Sequence, residues 1–144
     1  MQVNFIKLHK DAKIPVYSSA SAAGADLCAL PGEDILIQPG ETVFIHTGLA
    51  MEIPEGYAAL IFARSGLASK QGLAPANKVG VVDPDYRGEF MVALHNHSAV
   101  PRTIAGGERI AQMVIVPFVR AEFNETDSLC ETERGAGGFG STGK

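Results

Sequence analysis

Short β-rich runs separated by proline and glycine constrain this chain more than any other feature. The runs cover 3–8, 34–38, 42–47, 49–53, 57–63, 89–96 and 110–118, and Pro31-Gly32, Pro39-Gly40, Pro54-Glu55-Gly56 and Gly106-Gly107 punctuate them. Proline cannot donate to a strand ladder and glycine offers a strand no side chain to pack, so each such group ends a strand and turns the chain. Many short strands at nearly regular spacing bury their apolar faces only by wrapping round one another, which predicts an all-β sandwich, jelly roll or barrel. One stretch departs from the pattern. Ser65 is a suitable N-cap, residues 66–71 can make two helical turns and Gly72 is a suitable stop, so one short helix is expected over 65–71.

At 144 residues the chain is expected to be a single domain with a core large enough to need no staples. Charged residues make up 19% of it, against a usual share of about 25%, so more surface is hidden than a monomer of this size can hide. A homo-oligomer is expected. The net charge of −4 and the lack of a basic run argue against a general nucleic-acid binder and against an anionic membrane surface. No apolar run approaches a membrane span and the first residues carry no signal or transit pattern, so a soluble, intracellular, cytoplasmic protein is expected. Cys28 and Cys130 lie far apart with no CxxC neighbourhood, which points to reduced, buried thiols and not to a disulfide framework or a zinc site.

Residues 134–144 hold five glycines, one aromatic ring, two hydroxyls and two cations. Such a segment packs neither as helix nor as strand. It reads either as a solvated tail or as a lid. In the second case glycine lets the backbone wrap closely round a ligand, Arg134, Ser141, Thr142 and free N–H groups suit phosphate oxygens, and Phe139 can stack on a planar base. The run from Gly138 to Lys144 also matches the start of a P-loop, but that motif needs a strand before it and a helix after it, so a P-loop fold is not expected.

The stretch from Gly80 to Gly88 looks the most reactive. Asp83 closes an apolar run and Pro84 presets a turn, which anchors Asp83 on strand-like backbone. A carboxylate held there can orient and deprotonate a water, as hydrolysis of an anhydride requires. Equally, Asp83 and Asp85 can be turn residues that cap local N–H groups. Tyr86 offers a flat ring to a sugar or to the core. Arg64, Ser65 and Gly66 put a guanidinium, a hydroxyl and N–H groups at the start of the short helix, which suits an anion or serves as a cap beside a surface ion pair. Arg109 and Gln112 alternate poorly with their apolar neighbours, so a polar side chain in that strand must face inward or toward a partner. His95 and His97 share a strand face, but no third metal ligand stands near them in sequence.

Taken together and in order, these segments resemble the five motifs of the homotrimeric deoxyuridine triphosphatases (dUTPases), which turn dUTP into dUMP and pyrophosphate. The first is matched by Ala23-Gly24-Ala25-Asp26-Leu27, the second by residues 63–68, the third by residues 80–90, the fourth by residues 107–113 and the fifth by residues 134–143, so that the resemblance spans nearly the whole chain. It implies a jelly-roll-like β-barrel of the β-clip kind over 1–133, with one short helix, and a flexible arm over 134–144 that closes the active site. It also implies hydrolysis of dUTP, which keeps uracil out of DNA and supplies dUMP for thymidylate synthesis.

On this resemblance Asp83 activates the water that attacks the α-phosphorus, and Tyr86 packs under the deoxyribose and leaves no room for a 2′-hydroxyl. Asn77 reads uracil together with backbone at Val81, Val82, Asp83 and Met91. Arg64, Ser65, Gly66 and Gln112 hold the phosphates, with Arg109 as a structural support. Asp26 faces Mg2+ through water, the ion being held mainly by the triphosphate, and Arg134, Phe139, Gly140, Ser141 and Thr142 close over the nucleotide. A homotrimer with shared sites and no direct nucleic-acid or membrane contact completes the expectation. The chemistry is coherent, since hydrolysis at the α-phosphorus is mostly positioning and charge neutralisation. Ala63 stands where the family usually has proline and Pro84 where other residues are commoner, and neither carries a donor or a charge. A deoxycytidine triphosphate deaminase and a catalytically silent nucleotide-sensing jelly roll are the competing readings; Asp83, Tyr86 and the tail favour the hydrolase.

Overall fold

The computed structural model describes residues 1–138 of the chain. Strands β1 (Asn4–Lys7), β2 (Val16–Tyr17), β3 (Ala25–Cys28), β4 (Ile35–Ile37), β5 (Thr42–Ile45), β6 (Leu49–Glu52) and β7 (Tyr57–Ala63) lead to a helical turn at Leu67–Gln71. After it come β8 (Leu73–Pro75), β9 (Val79–Val82), β10 (Val92–Asn96), β11 (Arg102–Ile104) and β12 (Arg109–Pro117). The largest sheet has the order β2-β3-β12-β7-β9; a second runs β5-β10-β8, and β1-β6 and β11-β4 form two-stranded pairs. The all-β expectation is met. Each of the seven expected runs overlaps a strand, while β2, β3, β8 and β11, two to four residues each, are too short to show alternation in sequence.

The sheets share one core. Leu27, Ile37, Ile45, Leu49, Leu73, Leu94, Ile104 and Ile110 are all fully buried in a single cluster, and each such side chain contributes roughly 1.5–3 kcal/mol relative to exposure. β10 shows the two-residue period that builds it, with Val92, Leu94 and Asn96 turned inward. Asn96 is tolerated there because every polar atom is satisfied. Its Nδ2 donates to the carbonyls of Ile37 (3.0 Å) and Val100 (2.9 Å), and its Oδ1 accepts from Ser98 N (2.9 Å) and Ser98 Oγ (2.7 Å).

Two local expectations need correction. The helix spans 65–71 as expected, with Ser65 and Gly66 α-helical and Leu67–Gln71 a π-helical turn closed by Gly72 at φ 72°, but Ser65 does not cap it. The carbonyl of Arg64 already accepts from Ala68 N (2.9 Å), which puts Ser65 inside the first turn and leaves its hydroxyl exposed. Both cysteines are free, but only Cys28 is partly buried, where burial pushes its thiol up against the pull of Lys13; Cys130 is exposed. Among the described residues no helix is long and apolar enough to cross a membrane.

Candidate active site

Two groups of the expected site residues assemble, at different places on the chain. The first surrounds a cavity of about 320 Å³ lined by Asn77, Val81, Val82, Asp83, Tyr86 and Met91, with Phe44, Ile61 and Phe90 among its apolar walls. Asn77 reaches it through a strained turn between β8 and β9. Lys78 N donates to Pro75 O (3.0 Å) and Val79 N to Asn77 O (2.7 Å), which makes Lys78, at φ 66°, the centre of a tight three-residue γ-turn. A residue with a Cβ is disfavoured in that region by about 1–2 kcal/mol, and such strain gathers at working sites. Gly80 completes the arrangement: a Cβ there would stand 3.2 Å from Asn77 Nδ2 and 3.2 Å from Ile61 Cβ, so a larger residue would press on both and glycine leaves the Asn77 amide room over β9.

Asp83 ends β9 in a turn that its own backbone closes, since Tyr86 N donates to Asp83 O (3.2 Å) with Pro84 between them. Arg87 braces this turn by donating from Nη1 to Pro84 O (2.6 Å) and Tyr86 O (3.1 Å). The Asp83 carboxylate caps no N–H among the described residues, so the turn needs its carbonyl but not its side chain, and Asp83 lines the cavity. Tyr86 is held close by. Its hydroxyl donates to Glu89 O (3.0 Å), its ring tilts against Phe90 at 6.1 Å, and a Cβ on Gly88 would collide with the phenol oxygen.

The second group is a cluster of cations round one carboxylate. Arg64 Nε donates to Asp26 Oδ1 (2.8 Å), Arg109 Nη1 to Asp26 Oδ2 (3.0 Å) and Arg64 Nη1 to Arg109 O (3.2 Å). Gln112 sits against the same group, donating from Nε2 to Ala63 O (2.9 Å) and passing so near Gly24 that a Cβ there would lie 2.8 Å from Gln112 Oε1. A bulge in β12 makes the cluster. Regular alternation would send Arg109 and Gln112, three apart, to opposite faces. Instead Ile110 is an extra residue between the Arg109–Cys28 and Ala111–Leu27 pairs, which returns Arg109 to the face that Asp26 and Gln112 share. The bulge accounts for the poor alternation seen in the sequence. Each guanidinium keeps donors free after these bonds, which suits phosphate oxygens. Ser65 and Gly66 follow Arg64 directly and are exposed.

The strand register sets Asp83 apart from Arg64 within one chain. β7 and β9 pair antiparallel with Val82 opposite Ala59, so Asp83 falls beside Ala58, six residues along β7 from Arg64. At a rise of about 3.3 Å per residue, that is a separation of about 20 Å. Arg134 joins neither group; it is exposed and donates from Nε to Gly137 O (2.7 Å) within its own tail. Phe139, Gly140, Ser141 and Thr142 lie outside the described residues.

A resident metal is not built for. No three His, Cys, Asp or Glu side chains converge among the described residues, and His95 and His97, with rings 4.3 Å apart, gain no third ligand. Each Asp26 oxygen accepts one guanidinium N–H and retains a lone pair, so the donor set fits Mg2+ only as a contact through water to an ion carried by a ligand.

Sequence reading missed Glu89 and His46. The Glu89 carboxylate accepts from Gly48 N (2.7 Å) and lies 2.8 Å from His46 Nδ1. Burial raises its proton affinity, but the His46, Gly48 and Thr47 contacts outweigh burial and hold the carboxyl below its ordinary value. No spacing announces a contact between residues 43 positions apart.

Comparison with known proteins accords with this geometry. A family model described as dUTPase matches residues 10–143. The chain is 52% identical to a deoxyuridine 5′-triphosphate nucleotidohydrolase of Nautilia profundicola, covering all of both, and 51% identical to one of Desulfitobacterium hafniense, covering 99% of this chain and 95% of that protein. Among solved structures, Staphylococcus bacteriophage 80alpha dUTPase with dUPNHPP superposes with a TM-score of 0.90 at 29% identity, covering 99% of each chain. The likeness extends to the jelly-roll-like β fold.

Proposed function

The chain belongs to the dUTPase family, and from that membership we infer that it hydrolyses dUTP to dUMP and pyrophosphate by way of the two residue groups described above. The observation that carries this reading is the cavity that gathers Asn77, Val81, Val82, Asp83, Tyr86 and Met91 from the single stretch 77–91 against walls from distant strands. A half-open, largely apolar pocket with one amide and a few backbone groups suits a planar pyrimidine, and a base of the wrong pattern would leave those groups unpaired.

In this reading the uracil enters between Asn77 and the backbone at Val81, Val82, Asp83 and Met91, and the deoxyribose rests on Tyr86. The Asp83 carboxylate takes a proton from water, whose oxygen forms a bond to the α-phosphorus as the bond to the bridging oxygen of pyrophosphate breaks. Arg64, Ser65, Gly66 and Gln112 hold the phosphates while Asp26 keeps Arg64 and Arg109 in place. Mg2+, when bound, supplies charge neutralisation on the triphosphate, with Asp26 placed to meet its water shell. Arg134, Phe139, Gly140, Ser141 and Thr142 close over the nucleotide as an arm.

In this reading the sites are shared within a homotrimer, and the strand register supports that. A nucleotide whose α-phosphorus lies at Asp83 has the same chain's Arg64 about 20 Å away along the strand, which favours a cation cluster supplied by a second copy. Exposed apolar side chains support the assembly: Ile6 and Val16 on β1 and β2, and Val119, Phe123 and Leu129 beyond β12, are all more than half exposed. The test is incubation with Mg2+ and dUTP, dCTP, dTTP or UTP in turn. Pyrophosphate from dUTP alone is expected; ammonia from dCTP, or no pyrophosphate from dUTP, overturns the reading.

A further inference from the structure

We propose that Glu89 is a positioning residue for sugar discrimination, the tie that fixes the height of the Tyr86 ring against the rest of the protein. The proposal rests on the reading of Tyr86 as the platform under the deoxyribose. Such a platform rejects a 2′-hydroxyl only if it cannot sink, because displacement of about 1 Å already decides whether a group of that size fits. Among the described residues, the ring's hydrogen bond and its ring–ring contact are internal to its own loop, as is the close approach of Gly88: the hydroxyl bonds Glu89 O and the ring tilts against Phe90. These make residues 86–90 one unit but leave open what that unit stands on.

It stands on residues 46–49. Gly48 N donates to Glu89 Oε1 (2.7 Å), His46 Nδ1 lies 2.8 Å from Glu89 Oε2, the buried Thr47 hydroxyl donates to Phe90 O (2.6 Å), and Phe90 N donates to Leu49 O (2.8 Å). That segment is itself fixed, since Leu30 N donates to His46 O (2.7 Å) and Leu8 N to Gly48 O (2.8 Å). Phe90 joins ring and foundation through packing and its backbone, and Glu89 does so through hydrogen bonds at both ends, its carbonyl holding the phenol and its carboxylate gripping the foundation. It also lines the cavity beside Tyr86.

The experiment compares kcat/KM for dUTP and UTP in the parent, Glu89→Ala, Glu89→Gln and Tyr86→Ala. Glu89→Ala keeps the carbonyl and removes only the tie, so the dUTP:UTP ratio falls by about tenfold or more. Glu89→Gln restores most of the ratio, because an amide oxygen still accepts from Gly48 N and its nitrogen can donate to a neutral His46. A parental ratio in folded Glu89→Ala, alongside a lowered ratio in Tyr86→Ala, overturns the proposal. A parental ratio in Tyr86→Ala overturns the platform reading instead. Should Glu89→Ala fail to fold, His46→Ala, which loosens only the Oε2 side, decides: a lowered ratio supports the tie and a parental one overturns it.

Discussion

Asp83 and Glu89 are carboxylates a few residues apart with opposite tasks, and their surroundings separate them. Asp83 lines the cavity while its carbonyl closes the turn. Asp83→Asn preserves shape and removes the proton acceptor, so binding of dUTP should persist while kcat falls by about 10²–10⁴-fold, measured by titration calorimetry and pyrophosphate release. Glu89 is instead occupied by His46 and Gly48, and its carboxyl lies below the ordinary 4.5. A group depressed on folding adds stability above its unfolded value and loses it as pH falls through the folded one. The urea midpoint of the parent should therefore drop more steeply below pH 4.5 than that of Glu89→Gln, whose amide does not titrate. Sequence puts the first carboxylate forward as a candidate and passes over the second. Asp83 stands in a turn with Pro84, a local pattern, whereas Glu89 acquires its role from a loop that only the fold brings near.

The strand ends and turns, more than the strands, carry the site. β7, β10 and β12 were visible as apolar runs because they are long enough to show a period. β3 was not, since four residues flanked by alanine and glycine give too little pattern, yet it presents Asp26. The bulge at Ile110 left a trace in sequence as a broken alternation, but the direction of the break was visible only once Cys28 and Leu27 were seen across from it. The γ-turn at Lys78 left no trace, because lysine is an ordinary surface residue and nothing in its neighbours announces φ 66°. Lys78→Gly removes the steric penalty at that angle and should leave stability unchanged or raise it by up to about 1 kcal/mol, the gain offset by a looser unfolded chain. Thermal unfolding read beside the KM for dUTP checks this; a KM unchanged by the swap means that Asn77 is aimed by Gly80 alone.

At the scale of the whole molecule, the register of β7 against β9 sets Asp83 and Arg64 six strand positions apart on one copy. Truncation after Glu133 removes the expected arm but none of the described core, so turnover should collapse while sedimentation still reports the parental assembly. Mixing makes a sharper check. Chains bearing Asp83→Asn and chains bearing Arg64→Ala are each expected to be inactive, yet co-refolded in equal amounts they should regain activity at roughly a quarter of the sites, where an intact pocket meets an intact cluster from a neighbour. Activity that never returns on mixing would place both groups at one chain's own site. The low charge content points toward assembly, and the separation of Asp83 from Arg64 is a second argument for it that no residue count expresses. If the sites are shared, the six strand positions between Ala58 and Arg64 turn dilution into a form of inhibition: below the concentration at which copies find each other, turnover per chain should fall.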